Sequence, residues 1–593
     1  MPQCLEVFRR ASHRDVPLMV CQREYIYDGV SALAREGYET LLSDFHFAKL
    51  FPDLIHVPAD RFCTAAIEHL TVNFIGEPTS VMFHRDVVQR FGRFNPDFIQ
   101  LADFEYWARI GSHTGFVAVP ETLASFRVHG GSTTARNEGW RYFRYQVLDP
   151  LLLIYEFAYD SRLAPLRRAA RRLGVNLRRI LAESAYQAAT MARRDADDPL
   201  IADRGPQEEW NMMVSRYPAL RRSIYTDAYR IRDGFDRHVL WRFRRVNFRL
   251  RKKNNFKLPI ILAVDIEPDS FFTDPAEPIP WHGYEIAYEF LTSLRSRIAA
   301  ATGSPVHFFW TLRMDPQVAE TYGSPEWAIR YYEKNIQACQ ALGDEIGAHT
   351  HAYRWDPLRG TWVVDHGNQP WVDHCVVTSF TTFRKFFGKD CRSFRFGDGW
   401  MSNATMGLVE KLGAHFDLTL EPGQGSHPAV FLDKPFTGSL PDLRGIPVSP
   451  YRPDRGDFTR ADPLRREGIW IIPLSAAPLR DDSSVNPVAG TPINKSKYQT
   501  LNLACEPPIF HWIMHYLLAV QERPYLALVT RSDVGSHPRL LHNVKANMST
   551  LIHHPMAPEF VFCTPAEAVA HLGCLEGSER VNTAADAPLL PST

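Results

Sequence analysis

Lys257 to Val264 reads KLPIILAV and runs without a break into Asp265-Ile266-Glu267-Pro268-Asp269. A continuous aliphatic run of this length, closed by a proline, has the pattern of a buried strand. Such a strand carries three carboxylates to the edge of a core. Buried carboxylates are costly unless charge is neutralised nearby, and a divalent cation does that. Taken alone, the motif is equally an acidic loop closed by Pro268.

Further along comes Gly343-Asp344-Glu345-Ile346-Gly347-Ala348-His349-Thr350-His351-Ala352-Tyr353. Side chains alternate along extended backbone, so His349 and His351 point the same way. Both imidazoles can then reach one metal, and nitrogen with oxygen ligands suits zinc or another transition metal. A third element, Ser393-Phe394-Arg395-Phe396-Gly397-Asp398-Gly399-Trp400, precedes a helical stretch and Gly413-Ala414-His415-Phe416-Asp417. Arg395 is placed to orient a carboxylate base or an acyl oxygen, or to form an ordinary structural ion pair.

In this order the motifs resemble the polysaccharide-deacetylase, or NodB-homology, superfamily, whose fold is a partly irregular (β/α) barrel. The resemblance implies that Asp265 is the general base and that Glu267 and His349 are metal ligands, with His351 as third ligand. It implies a divalent metal, Arg395 in the catalytic machinery, and Tyr353, Trp400 and Asp417 at the substrate. Val306 to Asp315 falls where the family has a second strand. The implied reaction is attack of water on the acyl carbonyl of an amide- or ester-substituted sugar.

Two positions depart from the pattern. Tyr353 stands four residues after His349, where the commonest pattern has its second histidine, and His351 replaces that ligand. The strand Tyr525 to Thr530 leads into Arg531-Ser532-Asp533, where the family has a catalytic acid histidine, and His537 follows later. Loss of a general acid costs roughly 10²–10⁴-fold in rate.

A chain of 593 residues is too long for one core, so several domains are expected. Lys plus Arg and Asp plus Glu are 67 each, which gives no overall field for nucleic acid. Nine cysteines without a CxxC pair argue against a disulfide framework. With neither an apolar signal core nor a run long enough to span a bilayer, a cytoplasmic protein is expected. Composition divides the chain at 1–150, mixed α/β; 151–255, a helical connector with paired arginines; 256–575, the barrel; and 576–593, a disordered tail. The arginine pairs read as a solvated helix face.

Residues 73–134 carry a second resemblance. Asn73 to Phe83 reads as a turn entering a strand, His84 to Phe94 as a short helix, Leu101 to Ile110 as a helix with an acidic first turn, and Val119 to Ser132 as a strand. The segment is similar to the acceptor half of family-2, GT-A-fold glycosyltransferases, a partial α/β sandwich. That resemblance implies that Asp103 is a catalytic base and that His129 lies near the metal-diphosphate site. The donor half, with its D-x-D, would stand ahead of Met1, so no nucleotide-sugar binding is expected from residues 1–150. A half-sheet leaves an edge that the helical region or a partner protein would cover.

The expectation is therefore a metal-dependent hydrolase acting on the acylated sugars of a carbohydrate or glycolipid-linked glycan, beside a remnant glycosyltransferase. Its rivals are a non-catalytic glycan-binding scaffold and a glycosyltransferase whose donor half is missing.

Overall fold

The computed structural model describes residues 16–28, 46–52, 54–129, 132, 143–198, 200–201, 203–221, 227, 257–428, 434–478, 498–521 and 523–573. The expected tail at 576–593 and most of 222–255 lie outside them. The chain divides into two compact units near residue 246.

The first unit has a four-stranded sheet of β1 (Leu18–Asp28), β2 (His56–Val57), β3 (Val81–Phe83) and β4 (Phe116–His129). Their order is β2-β4-β1-β3, with β1 and β4 parallel and the short outer strands antiparallel. Pro120 cannot donate to a ladder. It falls where the register slips, between Cys21↔Val119 and Gln22↔Thr122. Helices α1 (Ala59–Glu68), α2 (Val87–Phe91) and α3 (Ala102–Thr114) surround the sheet.

Beyond them come α4 (Asp149–Tyr159), α5 (Ala164–Arg172), α6 (Leu177–Asp197) and α7 (Gly205–Arg216). Apolar residues recur at helical spacing here, and Leu166, Ala170, Leu177 and Leu181 are buried while Arg168, Arg171, Arg172, Arg178 and Arg179 are exposed. One hydrophobic cluster runs from Leu18 through Trp107 and Leu152 to Leu220. The sheet and the helices beyond residue 150 therefore share a single core.

The second unit is built on parallel strands: β5 (Leu258–Ile266), β6 (Phe309–Arg313), β7 (Glu345–Thr350), β10 (Ser393–Phe396), β11 (Phe416–Asp417), β12 (Trp470–Ile471), β13 (Leu526–Arg531) and β14 (Phe560–Phe562). A hairpin of β8 (Tyr353–Asp356) and β9 (Thr361–Asp365) leaves the sheet directly after His351. The order is β12-β11-β10-β7-β6-β5-β13, and β14 lies along β5. All nine residues of β5 are buried, as expected of a strand covered on both faces.

The two ends of this sheet are joined by irregular backbone. After β12, Leu474 N donates to Leu420 O at 2.9 Å and Ser475 N to Ala527 O at 3.0 Å. Leu503 N donates to Val529 O at 3.0 Å. The sheet thus curls into a distorted (β/α) barrel, in which short non-strand segments complete the wall.

Alternation along the strands divides the interior into two layers. Ile261, Ala263, Phe309, Ala527 and Val529 belong to one buried apolar cluster. Their successors two residues on, toward the carboxy-terminal ends, are Asp265, Thr311 and Arg531. Gly347 allows this packing, because a Cβ there would lie 2.5 Å from Ser393 O and 2.7 Å from the Phe309 ring.

Candidate metal centre

Register brings the polar layer together. Asp265 is level with Thr311 on one side and Arg531 on the other, while His349 is level with Arg313 and Arg395. Asp265, Glu267, His349, His351, Arg313 and Arg395 are all buried. The carboxy-terminal end of a parallel sheet is where such folds place ligand sites.

His349 Nε2 lies 3.1 Å from His351 Nε2. Glu267 Oε2 is 3.8 Å from the former and 3.5 Å from the latter. The other ring nitrogens are already engaged: His349 Nδ1 is 3.0 Å from Arg395 O, and His351 Nδ1 is 3.2 Å from Asp398 Oδ2. Backbone carbonyls and carboxylates accept hydrogen bonds, so both Nδ1 atoms carry the proton. The two Nε2 atoms and a carboxylate oxygen therefore face one another, an arrangement that a shared cation satisfies. Ligands bound at about 2.0–2.2 Å stand at about this separation, and imidazoles backed by a carbonyl or carboxylate are the usual support of a metal centre.

Charge balance agrees. Arg395 Nε lies 3.0 Å from Asp265 Oδ2, Arg531 Nε lies 2.5 Å from Glu267 Oε1, and Arg313 Nε donates to Asp315 Oδ2 at 2.6 Å. Arg531 also serves Asp533 at 2.8 Å. Among the described residues no guanidinium pairs with Asp398, whose partners are His351, His366 and the Tyr353 hydroxyl at 2.9 Å. Carboxylates thus outnumber guanidiniums around the site. Glu267, His349 and His351 fit a divalent ion as its ligand set.

These neighbours set the proton affinities. Burial alone would raise the Glu267 carboxyl, but the Arg531 cation and the two imidazoles hold it far below the usual range. Burial lowers His349 to about 4. His351 is raised because the Asp398 carboxylate outweighs its burial. Near neutral pH, His349 therefore offers a free lone pair.

Asp265 stands beside this set, with its Oδ1 3.9 Å from His349 Nδ1. Thr311 Oγ1 donates to Asp265 Oδ1 at 2.6 Å, and Arg395 Nε reaches both oxygens at 3.1 and 3.0 Å. Arg395 also donates to Leu418 O at 2.8 Å, which fixes its guanidinium.

Tyr353, Trp400 and Asp417, expected at the substrate, are all buried. Tyr353 is fully buried and spends its hydroxyl on Asp398. Trp400 is 5% exposed and stacks on His366 at 5.5 Å. The Asp417 carboxylate accepts from Thr419 N and Oγ1 at 3.1 and 2.8 Å, and is raised to about 6 by burial.

Sequence reasoning assigned no role to Asp398, Arg313 or Asp315. Asp398 adopts the left-handed backbone, φ 60°, which brings its carboxylate under His351. Asp315 Oδ2 accepts from His351 N at 2.9 Å and anchors the histidine loop. The alternation Thr311-x-Arg313-x-Asp315 was the available signal for three polar side chains on one strand face.

In the first unit, Asp103 opens α3 and its Oδ1 accepts from Phe104 N at 2.7 Å. Burial raises its carboxyl to about 7, with Glu77 adding to the effect and Arg23 opposing it. Arg23 in turn pairs with Glu77. His129 ends β4 level with Asp28, and no described contact joins it to Asp103. Among the described residues no helix is long and apolar enough to cross a membrane.

No family model matches the chain. A Mycobacterium tuberculosis protein, the uncharacterised MT1568, is 36% identical over 88 residues, which are 13% of this chain and 27% of that protein. The chain thus spans about a quarter of the length of the curated relative it matches. Among solved structures, a Mycobacterium smegmatis protein assigned as a polysaccharide deacetylase aligns over 57% of this chain and 96% of its own, with 13% identity and a TM-score of 0.32. The peptidoglycan deacetylase PdaC of Bacillus subtilis aligns over 27% of this chain and 58% of its own, with 13% identity and a TM-score of 0.16.

Proposed function

We propose that the second unit is a metal-dependent hydrolase of the polysaccharide-deacetylase type acting on acylated sugars. The observation that carries this is the convergence of the His349 and His351 Nε2 lone pairs on Glu267 Oε2, with Asp265 alongside. Glu267, His349 and His351 would hold the ion, which when bound supplies a polarised water and a counter-charge for the developing oxyanion. Asp265 accepts the proton of the attacking water, and Arg395 and Thr311 fix the carboxylate that receives it. The test is zinc titration of the purified chain, followed by hydrolysis assays on acetylated oligosaccharides and an activated acetyl ester. One equivalent of tightly held metal and metal-dependent ester cleavage are expected. Tight metal without turnover of either substrate would leave the glycan-binding reading in its place.

We infer further that the first unit derives from the acceptor half of a GT-A glycosyltransferase. The supporting feature is Asp103, an aspartate at a helix start whose burial holds its proton near neutral pH. Calorimetry of the full chain with nucleotide sugars is expected to show no binding at millimolar ligand, and clear heat would refute the acceptor-half reading.

A further inference from the structure

Arg531 ends β13 and differs from the other two arginines of the site in its exposure. Its side chain is 24% exposed, against 0% for Arg313 and 7% for Arg395, so it is the most solvent-accessible of the three guanidiniums. Its Nε lies 2.5 Å from Glu267 Oε1, and Nη2 donates to Asp533 Oδ2 at 2.8 Å. Its guanidinium carbon sits 3.5 Å from the centre of the Phe271 ring. The next residue grips the same glutamate through the backbone: Ser532 Oγ donates to Glu267 O at 3.1 Å and accepts from Glu267 N at 3.0 Å. Glu267 is thus held at its main chain and at Oε1, while Oε2 faces the two imidazoles and, at 3.6 Å, Arg313 Nη1.

We propose that Arg531 is the positioning and specificity-determining residue of this centre, clamping Glu267 and directing the site to O-acyl esters rather than N-acyl amides. This rests on the hydrolase reading above. A guanidinium holds its proton throughout the working pH range, so it stabilises negative charge but donates no proton to a leaving group. Cleaving an amide expels an amine, which leaves only after its nitrogen is protonated. An ester expels an oxygen, which needs far less help. In the ester reaction the water oxygen bonds to the acyl carbon and its proton passes to Asp265. The acyl C–O bond then breaks, the departing oxygen takes up a proton from solvent water and Asp265 releases its own to solvent, giving one carboxylic acid and one sugar hydroxyl.

The neighbour able to replace a donor is Asp533. Its Oδ1 is buried without a partner, and burial raises its carboxyl to about 7, with Arg531 opposing and Glu267 and Asp269 adding.

The test uses the full chain loaded with zinc and the variants Arg531→Gln, Arg531→His and Asp533→Asn. Zinc affinity is measured by competition with a chromophoric chelator, independently of turnover. Arg531→Gln is expected to weaken it about 10–100-fold, the usual effect of removing a group that orients a ligand. Hydrolysis is compared on O-acetylated cellobiose and N,N′-diacetylchitobiose. Wild type is expected to favour the ester, Arg531→His to gain amide cleavage roughly tenfold or more, and Asp533→Asn to leave the ester-to-amide ratio unchanged. Unchanged zinc affinity in Arg531→Gln would overturn the clamp. Amide cleavage by wild type that vanishes in Asp533→Asn would overturn the selectivity and place the donor at Asp533. If zinc binds but neither sugar is cleaved by any form, the hydrolase reading fails, and the affinity result still decides the clamp.

Discussion

His349 and His351 meet Nε2 to Nε2 at 3.1 Å, although only one residue separates them. Two neutral rings in that posture repel through their lone pairs unless something positive sits between them. Their distal nitrogens are held by Arg395 O and by Asp398, so neither ring is free to turn away. The fold therefore spends a backbone carbonyl and a buried carboxylate on keeping these lone pairs aimed at Glu267.

Removing the Asp398 charge should weaken metal binding without emptying the site of ligands. Asn tolerates the left-handed backbone found at residue 398, so Asp398→Asn keeps the local shape. Losing the carboxylate behind His351 is expected to lower zinc affinity about 10–100-fold in chelator competition. Affinity equal to wild type would show that Asp398 does not orient the ring.

Gly397 is a steric test of the same ring. A Cβ at this position would lie 2.2 Å from His351 Nε2 and Cε1, far inside van der Waals contact. Gly397→Ala must therefore displace His351, at an overpacking cost of about 1–3 kcal/mol. A lower thermal midpoint together with loss of bound metal is expected. A variant with normal metal content would mean that the ring yields without leaving the ligand set.

Much of this centre was legible because strand alternation is a local rule. Asp265 with Glu267 and His349 with His351 are pairs at i and i+2, each at the end of a buried strand. Arg395 was legible as a charge within an apolar strand. Asp398 and Arg531 were not, because their roles come from contacts across 47 residues, to His351, and across the β5–β13 seam, to Glu267. Tyr353, Trp400 and Asp417 are less legible, because a polar or aromatic residue beside a motif reads the same whether it faces a substrate or a wall. Composition likewise marked a change at residue 151, but packing carries one core across it.

In the first unit, pH provides a separate probe. Burial holds the Asp103 carboxyl up at about 7, against an ordinary value of 3.8. A carboxyl whose pKa rises on folding stabilises the fold in its neutral form. Its contribution is full below about pH 4 and is lost as the pH climbs through about 7. Asp103→Asn stays neutral throughout, so its stability relative to wild type should rise across that window. Hydrogen exchange of the α3 amides, corrected for intrinsic rates, measures the difference. A constant difference from about pH 4 to about pH 8 would show that the carboxyl is not held neutral by the fold.

The separation of base from ligand is the remaining prediction. Asp265 contacts Thr311 and Arg395 but is not in the ligand set of Glu267, His349 and His351. Asp265→Asn keeps the side-chain shape and cannot accept a proton, so it should hold its metal and lose roughly 10²–10⁴-fold in hydrolysis. Glu267→Ala and His349→Ala should lose metal and activity together, because they delete ligands. Since Asp265 neutralises Arg395, Asp265→Asn also leaves that buried guanidinium without its counter-charge, and a lower thermal midpoint is expected alongside the lost rate. Arg395→Lys serves as the control: it keeps a cation near Asp265 but loses the fixed geometry of the guanidinium, so a rate between wild type and Asp265→Asn is expected. Metal content is read by elemental analysis, and rate with an activated acetyl ester. If Asp265→Asn loses its metal as fully as Glu267→Ala does, Asp265 belongs to the ligand set and the proton acceptor lies elsewhere.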